Sequence, residues 1–75
     1  MNRQTVSSSQ LHSVGFDALT NTLEIQFLNK TGQPGSVYLY SNVPESVYKE
    51  LMEAPSVGSY FGSMIKSTYS YTKVS

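Results

Sequence analysis

A chain of 75 residues without a single cysteine has to fold on burial alone. No disulfide can staple it and no thiolate metal site can organise it. A domain of this length hides roughly 60% of its unfolded surface. The apolar gain from that burial is about as large as the cost of ordering the backbone. Nearly every large apolar side chain must therefore serve the core, and little is left to line an interior pocket. One domain spanning residues 1–75 is the only arrangement with room. A dinucleotide-binding unit or a closed barrel is too large for it.

The clearest local signal is Leu23-Glu24-Ile25-Gln26-Phe27, which alternates as a half-buried strand does, with Leu23, Ile25 and Phe27 inward. Upstream, Leu11, Val14 and Phe16 alternate only in part, and Gln4 to Ser13 reads as extended or loop. Asp17 to Thr22 is a turn. Leu28 to Ser36 carries Asn, Gly, Pro and Gly, a loop signal. Val37-Tyr38-Leu39-Tyr40 follows as a strand, with Val37 and Leu39 expected in the core and Tyr38 and Tyr40 sharing the other face. Asn42-Val43-Pro44-Glu45 starts a helix, with either Asn42 as its cap or Pro44 at its first turn. Val47, Tyr48, Leu51 and Met52 form its apolar stripe, and Ala54-Pro55 ends it. Ser56 caps a second short helix whose stripe is Val57, Tyr60, Phe61, Met64 and Ile65. Thr68 to Val74 alternates again, as a strand or an extended tail. The fold class is α+β: a small antiparallel sheet of three or four strands packed against two short helices.

Charge excludes more than it suggests. Five basic and five acidic side chains give a formal net charge of zero, and charged residues are only 13% of the chain. No strong long-range field for coating DNA can arise from this. Aromatic residues reach 12%, which argues for an ordered domain. The N-terminus lacks an apolar run for secretion, and no stretch is long enough to span a membrane, so the cytoplasm is the expected compartment.

Catalytic chemistry has little to stand on. His12 is the lone histidine and sits among serines, where a surface role is commoner than a general base. Ser7, Ser8 and Ser9 have no identifiable base, and the glycines form no phosphate loop. Glu50 and Glu53 lie three apart on a helix and read as a solvated face. No cofactor, metal site or small-molecule substrate is expected.

The tyrosines are the unusual feature. Tyr38 and Tyr40 alternate on a strand, a spacing that either stacks bases or packs under a helix. Tyr69 and Tyr71 form a second pair near Lys66 and Lys73, in a segment with no acid after Ser56. Between Glu45 and Glu53 the balance is reversed, so the molecule is mildly dipolar.

In order along the chain come Val6-Ser7-Ser8-Ser9, Val14-Gly15-Phe16-Asp17, Leu23 to Phe27, Tyr38-Leu39-Tyr40 and Asn42-Val43-Pro44 with Tyr48. Ala54-Pro55-Ser56 with Gly58, Tyr60 and Phe61, then Ile65, Tyr69 and Tyr71 complete the series. From about Val6 to Tyr71 this resembles the KTSC domain family, named for the C-terminal domain of some lysyl-tRNA synthetases and found also in short stand-alone proteins. Tyr38 and Tyr40 stand at the family's Tyr-x-Tyr signature. The resemblance implies no established activity; the fusion to a synthetase implies RNA as a partner. The chain departs from the family pattern in a longer Leu28 to Ser36 loop, in Val57 where a lysine is common, and in Ser70 where a proline is common. The expected role is a non-catalytic binding module for RNA or single-stranded nucleic acid, through Tyr38, Tyr40, Lys66, Tyr69, Tyr71 and Lys73. The alternative is a protein-interaction or homodimerisation module using a free sheet edge or a tyrosine-rich face.

Overall fold

The computed structural model describes residues 2–75; Met1, first residue of the expected domain, lies outside the described residues. Five antiparallel strands follow one another across the sheet in chain order. They are β1 (Gln4–Thr5), β2 (Leu11–Asp17), β3 (Thr22–Leu28), β4 (Pro34–Tyr40) and β5 (Tyr71–Lys73). Between β4 and β5 the chain leaves the sheet to form α1 (Glu45–Glu53) and α2 (Val57–Tyr60), the latter running on into a π turn over Phe61–Ile65. The class is α+β as expected, but the sheet has five strands rather than three or four. The additional strand is β1, whose two residues are too few to leave an alternation in the sequence.

Leu23 and Ile25 on β3 set the core side of the sheet, and both are fully buried. Their cross-strand partners are Phe16 and Val14 on one side, Tyr40 and Tyr38 on the other. Directly opposed residues share a face. The helices lie on this face, and Val43, Leu51, Val57, Phe61 and Ile65 complete the core. The expected facing of β4 is therefore reversed. Tyr38 and Tyr40 look towards the helices, while Val37 and Leu39 lie on the open face, Val37 hidden there and Leu39 half-buried.

Three local departures from regular geometry set the remaining phases. β2 carries a bulge between Leu11 and Ser13, so Leu11 and Val14 both reach the core although they are three apart. β4 carries one residue more than β3 between Gln26 and Leu28, near Gly35. A Cβ on Gly35 would meet the Phe27 carbonyl at 3.2 Å, so glycine lets the strands close there. In the π turn the Lys66 N–H donates to the Phe61 carbonyl at 2.9 Å, five residues back. The widened turn keeps Val57, Phe61 and Ile65 on the core and swings Met64 out of the expected stripe, to 52% exposure.

Ser56 caps α2 as expected, its Oγ accepting from the Ser59 N–H. Neither expected start of α1 holds. Pro44 is itself the cap residue, its carbonyl accepting from Val47 and Tyr48, and Asn42 takes the left-handed conformation at φ 58°. The Leu28 to Ser36 loop is shorter than expected, because both strands extend into it and leave only residues 29–33.

The open face is polar. Arg3 reaches across it, its Nε donating to Ser13 Oγ at 3.0 Å and its Nη2 to Gln26 Oε1 at 3.1 Å, with a salt bridge to Glu24. Arg3 thus ties β1 to β2 and β3. Arg3→Ala is expected to lower stability by about 1–2 kcal/mol, because a partly buried carboxylate loses its partner. Lys49→Ala, which breaks the exposed pair with Glu45, is expected to change it by less than about 0.5 kcal/mol. Urea midpoints of the two variants check this; equal shifts would remove the stapling role of Arg3.

Candidate functional site

Five aromatic rings close a cycle at one end of the core. Phe27 meets Tyr38 edge-on at 5.3 Å, Tyr38 meets Tyr71 at 5.3 Å, and Tyr71 meets Tyr40 at 5.5 Å. Tyr40 then meets Phe61 edge-on at 5.5 Å, and Phe61 returns to Phe27 at 5.3 Å. These separations and tilts are those that ring quadrupoles favour. The sheet supplies Phe27, Tyr38, Tyr40 and Tyr71, and the π turn supplies Phe61. All five line an open concavity of about 670 Å³. Its rim is made of Gln10, Asn29, Ser36, Lys66 and Ser67.

The surroundings are electrically one-sided. No carboxylate lines the concavity. Among the described residues the ion pairs are Arg3 with Glu24 and Lys49 with Glu45, which leaves Lys30, Lys66 and Lys73 unpaired. Lys66 is on the rim, Lys30 follows rim residue Asn29, and Lys73 stands opposite Tyr38 in the β4–β5 register. Among the described residues, then, one lysine without an ion pair lines the concavity and another stands opposite one of its rings.

Of the six expected site residues, Tyr38, Tyr40, Tyr71 and Lys66 come together here. Lys73 is adjacent and exposed. Tyr69 does not line the concavity and is half-buried against the core. Tyr40 is 3% exposed, so it cannot pair with Tyr38 as a bare stacking platform on a free sheet surface. Phe27 and Phe61 were absent from the expected site because they read as core, which they also are. Gln10 and Asn29 had no signal beyond being polar residues in turns.

His12 lies elsewhere. Its Nδ1 is 3.1 Å from Ser13 Oγ, but that serine is buried and already accepts from Arg3. A hydroxyl so enclosed is a structural bridge between strands. Among the described residues no three metal-ligating side chains cluster, and no helix is long and apolar enough to cross a membrane.

Comparison with known proteins agrees with this architecture. Residues 7–71 match the profile of the KTSC domain. The chain belongs to the KTSC domain family. A crystal structure of a KTSC domain protein from Yersinia pestis superposes with a TM-score of 0.87 at 38% identity, covering 99% of this chain and 97% of that one. An uncharacterized protein of Stutzerimonas stutzeri is 35% identical over 75 residues, 99% of each chain. A lysine–tRNA ligase of Trichormus variabilis is 40% identical over 60 residues, 80% of this chain but only 10% of the ligase. The family match thus takes in residues 7–71 of this sequence, and the chain spans only about a tenth of the ligase's length.

Burial pushes the Tyr40 hydroxyl up from 10.0 to about 12, and the neighbouring Tyr71 and Tyr38 add to the rise. The unfolded chain releases this proton first, so the folded state holds more protons between those values. Stability from this group is complete below pH 10.0 and is lost as pH rises through about 12. Tyr40→Phe is expected to lose less stability across that window than the wild type. Thermal midpoints measured from neutral to alkaline pH check it, and parallel curves would mean the hydroxyl is not held neutral by the fold.

Proposed function

We propose that this KTSC domain is a non-catalytic binding module for single-stranded nucleic acid, RNA first, with the aromatic concavity as its site. The observation that carries the reading is the union of five clustered rings with Lys66, free of an ion pair among the described residues, and no carboxylate in the lining. Bases offer flat faces that aromatic side chains bind with little regard to sequence, and the adjoining phosphates seek cations. A cationic ligand would find the rings but also Lys66 on the rim, and no counter-charge. The similarity of the chain to part of a lysine–tRNA ligase supports RNA over DNA. The cytoplasm is the compartment this reading implies.

The site differs from the open sheet platform expected of a Tyr-x-Tyr strand. It is a recess between sheet and π turn, floored by Tyr40 and Phe61 and edged by Tyr38 and Tyr71. The exposure of Tyr71, 57%, makes it the ring best placed to receive a base. Self-association through a sheet edge has less support. Both edges are short, with β1 two residues long and β5 three, and short edges offer little to pair with.

Titration of the chain with short single-stranded RNA at two salt concentrations tests the proposal. Binding is expected to weaken as salt rises. Lys66→Ala should reduce the slope of log affinity against log salt by about 0.7, the share of one phosphate on a single strand. Tyr71→Ala should cost about 1–3 kcal/mol with little change in that slope. A wild type that binds no RNA at low salt sinks the proposal, and light scattering that shows a concentration-dependent dimer would favour self-association instead.

A further inference from the structure

Resting on the nucleic-acid reading, we infer that the domain grips a single nucleotide unit: one base on Tyr71, with the phosphates on either side of it held by Lys66 and Lys73. The five rings are not equally available. Tyr40 is 3% exposed and Phe61 4%, Phe27 and Tyr38 are half-buried, and Tyr71 is 57% exposed. Tyr71 leans on both tyrosines of β4, with centroids 5.3 Å from Tyr38 and 5.5 Å from Tyr40. The cluster thus steadies the one ring that solvent reaches freely. Stacking needs an accessible ring, so the site takes one base and the buried rings serve as its backing.

Lys73 stands beside that ring. β5 pairs with β4 alone and is exposed along its length. Its register sets Tyr71 against Tyr40 and Lys73 against Tyr38. Opposed residues share a face, so Tyr71 and Lys73 both stand on the side where Tyr38 and Tyr40 line the concavity. Thr72, opposite Leu39, lies on the other side. Alternate residues of a strand are about 6.7 Å apart, a step comparable to that between a base and its own phosphate.

Lys66 comes from the opposite direction. It follows the π turn and lines the concavity. Residues 67–70 then lead into β5 past the Tyr40 end of β4, where the Ser41 N–H donates to the Ser70 carbonyl at 2.9 Å. From Tyr71 the strand runs away from that turn, towards Lys73 and the Tyr38 level. Along β5, therefore, one lysine precedes the exposed ring and the other follows it. Neither has a carboxylate partner among the described residues, and no acidic side chain follows Glu53 in the sequence. A lysine is a point charge on a flexible stem, suited to a phosphate on each side of a stacked base.

Nuclear magnetic resonance titrations of the whole chain compare uridine 5′-phosphate, uridine 3′,5′-bisphosphate and a longer oligouridylate. The bisphosphate is expected to bind about twofold to fivefold more tightly than the monophosphate, the worth of one more exposed ion pair. The oligomer, corrected for the number of places it offers, should bind about as tightly as the bisphosphate. With the oligomer, Lys66→Ala and Lys73→Ala should each lower the slope of log affinity against log salt by about 0.7, and the double variant by about 1.4. Lys30→Ala, in the β3–β4 loop, should leave the slope unchanged. An unchanged slope in Lys73→Ala, a double variant no different from either single one, or a loss in Lys30→Ala equal to theirs overturns this inference while the binding reading stands. So does an affinity per place that keeps rising with strand length. No binding of the oligomer by the wild type overturns the binding reading, and this inference with it.

Discussion

Two short helical segments can cover only one face of a five-stranded sheet, and the rest of the structure follows from that. A helix is about 10–12 Å across with its side chains, and five strands span about 19 Å. The nine residues of α1 and the nine of α2 with its π turn therefore make a single layer. The other face has to be acceptable to water. Ser13, Glu24 and Gln26 provide that, and Arg3, just before β1, draws them together. A chain of this size has no second layer with which to bury an apolar face there, so Val37 and Leu39 are the limit of what that side carries.

The same constraint explains which parts of the fold were legible. Leu23 to Phe27 alternates cleanly because β3 is central and contacts neighbours on both sides. The stripe of α1 and the Ser56 cap are likewise local and were readable. The facing of β4 was not, because Val-Tyr-Leu-Tyr is apolar on both parities. Hydropathy favours Val37 and Leu39 inward; the actual choice is made by register, which sets Tyr40 against Leu23 and Tyr38 against Ile25. That information is held in the pairing of strands and not in β4 itself. The irregular spacing of Leu11, Val14 and Phe16, and the departure of Met64 from its stripe, have one cause: each follows from a residue inserted into a regular period, by a bulge in β2 or by the π turn.

The candidate site was half legible for a related reason. Tyrosine stands out in a chain poor in charge, so Tyr38, Tyr40, Tyr71 and Lys66 drew attention by composition. Phe27 and Phe61 did not, since a phenylalanine on an apolar stripe is already accounted for by packing. Yet each closes the aromatic cycle. A recess built on the border of a core uses residues that serve both purposes, and a hydrophobic pattern cannot separate the two. The π turn deepens this effect: by widening one turn it aligns Phe61 with the core and leaves Lys66 at the rim, a placement that an α-helical reading does not give.

Net neutrality then defines how such a site can work. With a formal charge of zero the domain exerts no long-range pull on a polyanion. What it has is local: Lys66 and Lys73, free of ion pairs among the described residues, beside a cycle of rings whose concavity no carboxylate lines. Attraction of this kind is felt within about a Debye length, roughly 8–10 Å in ordinary salt. On the proposed reading, a nucleic-acid ligand would be held by the recess only after meeting it, through ring contact more than through charge. If the proposed binding holds, a module of this kind within a longer protein would not need to capture its ligand from solution. A partner already held elsewhere on such a protein raises the local concentration, and a weak contact is then sufficient.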